Sequence, residues 1–77
     1  MAKMTINEAL QKAVTAYNAG ETEAAKRLLA RIIKIEPNQP DANHNMGSLL
    51  VKSGDIEAAI PFFKTALEAD FIRRKSD

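Results

Sequence analysis

Lys52-Ser53-Gly54-Asp55-Ile56-Glu57-Ala58-Ala59-Ile60 is a second version of Asn18-Ala19-Gly20-Glu21-Thr22-Glu23-Ala24-Ala25-Lys26. Glycine stands over glycine, acid over acid and an alanine pair over an alanine pair, at the 34-residue offset that separates Gly20 from Gly54. The register holds outward from there. Ala13 lies over Gly47, Ala16 over Leu50, Leu29 over Phe63, Ile33 over Leu67 and Ile6 over Pro40. Self-similarity at a fixed period of this size marks a chain built by stacking one helical unit, and it takes precedence over reading the residues one by one.

Each copy of the stretch joins two helical patterns through a glycine followed by an acid. Gly20 and Gly54 can take the positive φ that closes a helix, where a Cβ would be penalised sterically. Asp55 is placed to cap the next helix, and Glu21 or Thr22 to do so in the first copy. The alanine pairs fall early in the second helix of each unit, where small side chains let two backbones approach. Two tandem αα-hairpins follow.

This pattern resembles the tetratricopeptide repeat. In the second copy, from Pro40, the likeness rests on Met46, Gly47, Leu50, Gly54, Asp55, Ala59, Phe63, Ala66 and Leu67; in the first, from Ile6, on Ala13, Gly20, Ala25, Leu29 and Pro37. Lys12 stands where a leucine is usual, Ile32 where an alanine is, and Ala9 and Asn43 where an aromatic is. The resemblance covers nearly the whole chain. It implies an all-α superhelix of four helices, the last one extended, with repeat 1 over about 6–39, repeat 2 over about 40–73 and a frayed tail at 74–77.

Composition agrees with one small globular domain. The 77 residues are 45% hydrophobic and 27% charged, with a formal net charge of +1 and both signs mixed along the chain,. A nucleic-acid reader needs a basic stripe or stacking aromatics in a charged groove, and neither occurs. Arg73-Arg74-Lys75 is the one basic cluster, and cations suit the C-terminal end of a helix dipole. Apolar runs stay far below the roughly 20 residues that cross a bilayer. Met1–Ile6 is not followed by the apolar core of a secretory signal, so the expected location is cytoplasmic. There is no cysteine, hence no disulfide, thiolate nucleophile or thiolate metal site,.

Taken in order, Thr5-Ile6-Asn7-Glu8 fits a capping box. A first helix from Ile6 to about Ala19 carries Ala9, Leu10, Ala13, Val14, Ala16 and Tyr17 at helical spacing. A second runs from Thr22 to about Ile35, with Glu23 and Arg27 placed for an i,i+4 ion pair. Pro37 stops it, and Pro40 opens a third helix that ends near Ser53. Gly47 marks a close crossing with its partner helix. The fourth begins at Ile56 and continues through Pro61, which removes a backbone hydrogen bond. Phe71 stands where a family proline would end it, so the helix is expected to reach Arg74.

Repeat arrays bury their apolar faces by stacking, and three units are normally needed. This chain has two. Ile60, Phe63, Leu67, Phe71 and Ile72 are therefore expected to present apolar surface, and self-association by end-to-end stacking or helix exchange is expected to cover it. A piece cut from a longer array is the alternative.

No catalytic constellation is present. The single histidine, His44, lies one turn from Asp41, a pair with too few ligands for a structural zinc site. No serine has a histidine and an acid placed to activate it, and no glycine-rich loop cradles a phosphate. Neither enzyme activity, cofactor nor metal is expected, and no nucleic-acid or membrane partner. The family resemblance implies a concave groove that binds a protein or peptide, lined by Asn7, Leu10, Val14, Tyr17 and Asn18 from the first unit and Asp41, His44, Ser48, Val51 and Lys52 from the second. A carboxylate clamp of the chaperone-binding kind is not expected, because Leu10 and Val14 occupy its first-unit positions and only Asn45 matches in the second. Three functions remain open: a groove for an apolar or amphipathic segment, a self-assembling structural oligomer, or a recruiting segment of a larger transferase.

Overall fold

In the computed structural model, which describes residues 4–75, the chain forms α1 (Ile6–Asn18), α2 (Thr22–Ile35), α3 (Pro40–Lys52) and α4 (Ile56–Lys75). The described residues are all-α. α1 pairs with α2 and α3 with α4, while α2 also packs on α3 and joins the hairpins. The molecule measures 37 × 35 × 18 Å. Its thin dimension holds about two helix layers, given interaxial distances of roughly 8–10 Å.

The two hairpin turns repeat hydrogen bond for hydrogen bond. Ala19 N–H donates to the Thr15 carbonyl, Gly20 to Tyr17 and Glu21 to Ala16, at 3.0, 3.1 and 2.8 Å. Thirty-four residues on, Ser53 donates to Leu49, Gly54 to Val51 and Asp55 to Leu50, at 3.0, 3.0 and 2.8 Å. Both are Schellman closures, and they need a positive φ at one residue. Gly20 and Gly54 supply it, at φ 81° and 89°. Ala19 and Ser53 are thus caps, not helical residues, and each helix stops one residue short of the expected end.

Helix starts differ more. At α1 the capping box forms in full: Thr5 N–H donates to Glu8 Oε1 at 2.8 Å and Glu8 N–H to Thr5 Oγ1 at 3.1 Å. At α2 the cap position is Glu21, whose side chain caps nothing. Its backbone, at ψ 68°, is not the extended conformation usual at a cap position, which Gln39 at the start of α3 does adopt with ψ 117°,. The expected Glu23–Arg27 pair is also not made; among the described residues the one ion pair is Arg74 Nη2 to Asp70 Oδ2, 3.7 Å and well exposed. Such pairs contribute about 0–1 kcal/mol, so nothing in the fold depends on them.

A single core runs through both hairpins, from Leu10, Ala13 and Ala16 of α1 through Leu29 and Ile32 of α2 to Met46, Leu49 and Leu50 of α3 and Ala59 of α4. Gly47 lies where α3 meets Phe63 of α4. A Cβ built there would sit 2.8 Å from Phe63 Cε1, so the bare backbone is what lets the ring close down. Pro61 sits inside α4, and the helix continues through it to Lys75. Arg74 and Lys75 are helical, with Lys75 Nζ 5.7 Å above the Phe71 ring. Of the tail expected to fray, residues 76 and 77 lie outside the described residues.

Asn43 is the one buried polar side chain among those described, at 2% exposure. Its Nδ2 donates to the Pro37 carbonyl at 3.0 Å and to the Gln39 carbonyl at 2.7 Å. The Gln39 side chain in turn accepts from Ala42 N–H at 2.6 Å and caps α3. Together they fix the α2–α3 loop and thereby the angle at which the second hairpin meets the first.

Two outcomes follow. Asn43→Leu removes both donors and leaves the Pro37 carbonyl without a side-chain partner; urea unfolding should show a loss of about 1–3 kcal/mol, and a loss within experimental error contradicts the loop's role. At α1, the Thr5 amide and then its hydroxyl hold the Glu8 carboxyl below its ordinary value, with burial opposing them and Lys12 adding the smallest pull. A lowered folded pKa means the cap's contribution is whole above the ordinary glutamate value, about 4.3. It is lost as pH falls through the lower folded value. The Tm of wild type should therefore exceed that of Glu8→Gln by less in acid than at neutral pH; a pH-independent gap contradicts this.

Candidate functional site

α1 and α3 lie side by side without touching closely along their length, because α2 stands behind them and supplies the buried contacts. The space between them is a groove. Val14, Tyr17 and Asn18 project into it from α1 at i, i+3 and i+4, one face of a helix. Asn45 and Ser48 face them from α3, and Leu29 and Ala13 form the floor of a pocket of about 310 Å³. Lys52 reaches across from α3 to α1 beside the groove, its Nζ 4.7 Å from the centroid of the Tyr17 ring. That distance is a cation–π contact, worth about 0.5–1 kcal/mol at an exposed site.

The rim is chemically open. Among the described residues, the side chains of Asn18, Asn45 and Ser48 make no hydrogen bond to protein. Val14 is exposed although its neighbours Leu10 and Ala13 are buried. An apolar floor bounded by unpaired amides and a hydroxyl can seat a side chain and hydrogen-bond the backbone that carries it.

A tetratricopeptide repeat pattern matches residues 8–71, most of the chain. The chain belongs to the tetratricopeptide repeat family. Members of that family generally serve as protein–protein interaction modules. No curated protein and no solved structure matches the chain.

The structure sorts the family-derived groove residues. Val14, Tyr17, Asn18, Ser48 and Lys52 converge on one groove. Leu10 is turned into the core. Asn7 and Asp41 are exposed near the helix starts, away from the pocket lining. His44 is directed to the opposite edge of α3, where its ring meets Phe63 edge-on at 5.5 Å; Val51, two turns further along that edge and also exposed, shares its face,. Asn45 completes the groove, and its place opposite Val14 follows from tertiary packing of α1 on α3, which a helical period alone does not give.

A second surface lies on α4. Ile60, Leu67, Phe71 and Ile72 are exposed, while Phe63 is half-buried over Gly47. An open depression of about 1120 Å³ runs along the last turns of α4 beside Asn38 and Pro40. Among the described residues no group of three metal-ligating side chains is assembled, and no helix is long and apolar enough to cross a membrane.

Proposed function

We propose that this protein is a non-enzymatic adaptor that holds a short apolar or amphipathic segment of another protein in the groove between α1 and α3. The observation that carries the reading is the exposed Val14 lining a pocket whose rim amides and hydroxyl are unpaired within the protein, among the described residues. One apolar side chain of the segment fills the pocket over Leu29. Its flanking backbone exchanges hydrogen bonds with Asn18, Asn45 and Ser48, which offer both donors and acceptors. Lys52 favours an acidic residue at that end. Affinity rests on one or two buried anchors, since the pocket is small and most contacts at such surfaces contribute little. Self-association uses a different face and does not compete with this groove.

The test is selection of displayed random peptides on the folded protein, followed by nuclear magnetic resonance titration of a selected sequence. Shifts should concentrate on Val14, Tyr17, Asn45, Ser48 and Lys52. Val14→Glu should weaken binding about tenfold or more with unchanged helical circular dichroism. Peptides that map to the outer faces of α2 or α4, or that bind Val14→Glu as well as wild type, contradict the proposal.

A further inference from the structure

At about 100° per residue, Ile56, Ile60, Leu67 and Phe71 fall within roughly 60° of arc on α4, with the half-buried Phe63 along the inner border of the stripe. They are 61%, 58%, 72% and 65% exposed. Ile72, one residue past Phe71, is turned away from this line. In the first repeat the corresponding positions read differently: Thr22 under Ile56, Lys26 under Ile60 and Pro37 under Phe71. α3 packs on α2, and there Thr22 and Lys26 are half-buried and Ile33, the counterpart of Leu67, is partly covered. Whatever covers α4 is accordingly more apolar at these points than α3 is toward α2, so a further hairpin docked in the same manner fits the surface poorly.

The charges along one edge of the stripe say more. Glu57, Lys64, Glu68 and Lys75 lie about 80–120° round from Ile56, all exposed. Their signs run minus, plus, minus, plus, and their spacing reads the same from either end. Reversing the helix therefore sets each charge against its opposite: Lys64 faces Glu68 of a second copy, and Glu57 faces Lys75 of a second copy. The same reversal, centred on Ala66, brings Ile60 within one residue of Phe71 and Phe63 within two of Leu67, so the centres of the apolar and charged registers agree to within about one residue. An antiparallel two-fold axis carries the charged edges of both helices to the same side of the contact. A parallel one carries them to opposite sides, where they do not meet.

From this self-complementarity we propose that α4 pairs with α4 of a second copy, antiparallel, about a two-fold axis near Thr65. The contact is isologous, as closed dimers require, and it lies apart from the α1–α3 groove, so it stands or falls independently of the peptide reading. Edge pairs tune register, and the apolar stripe supplies the affinity.

Sedimentation equilibrium of the full chain over a wide concentration range should give a monomer–dimer equilibrium. Leu67→Glu, at an exposed position, should raise the dissociation constant at least tenfold with circular dichroism unchanged. Lys64→Glu should raise it about fivefold, and adding Glu68→Lys to the same chain should return it to within about twofold of wild type. A single-chain mass at every concentration overturns the proposal, as does a dimer indifferent to Leu67→Glu. A Lys64→Glu variant that dimerises like wild type, or is not rescued by Glu68→Lys, overturns the antiparallel register.

Discussion

The packing of α2 on α3 is the contact on which everything else rests, and the Asn43 amide is what fixes it. Within each hairpin the two helices are held by a Schellman turn and by small residues at the crossing, arrangements that either hairpin could form alone. Between hairpins the α2–α3 interface is the larger contact, with a smaller approach of α1 to α3, and the buried cluster that includes Leu29, Ile32, Ala42, Met46 and Leu49 runs through both hairpins. The short loop that enters it passes through Pro37 and Pro40, and proline has no N–H to donate. Its carbonyls need a donor from elsewhere, and Asn43 provides one to Pro37 and to Gln39. Since α1 and α3 touch little directly, the width of the groove between them is a by-product of how α3 is seated on α2.

What could be read from the residues alone was whatever has a local cause. A glycine in a left-handed conformation, a threonine three residues before a glutamate and a proline at a helix start each act within one turn of chain, and the four helices followed to within a residue of their ends. Gly47 was legible as a close crossing because a bare position amid apolar spacing has few other uses. The misreadings were non-local. Asn43 read as a departure from an aromatic, since nothing in its neighbours says that it would reach back to two carbonyls. Leu10 read as a groove residue by family position, but it faces the core here. Glu21 occupies the cap position but makes no cap, since the hairpin turn sets its backbone at ψ 68° and not in the extended conformation that Gln39 has at the start of α3.

The two repeats share the same hairpin turn and are unequal in surroundings, and the inequality is where interaction surfaces arise. α2 has α3 against it; among the described residues α4 has no further helix. Positions that match in sequence register consequently differ in exposure, as Ile33 and Leu67 do. The first helices of the two repeats, by contrast, stand on the same side and share a groove with an apolar floor and a polar rim. The relative placing of these surfaces is set by how α3 is seated on α2.

Native-state hydrogen exchange tests that joint most directly. If the α2–α3 interface makes the two hairpins one cooperative body, the slowest amides of α1 and α2 and the slowest of α3 and α4 should exchange with the same free energy of opening, equal to that of global unfolding. Two distinct limits, one for each hairpin, would mean that the units fold and open separately, and that the groove between α1 and α3 is not a standing feature of the molecule.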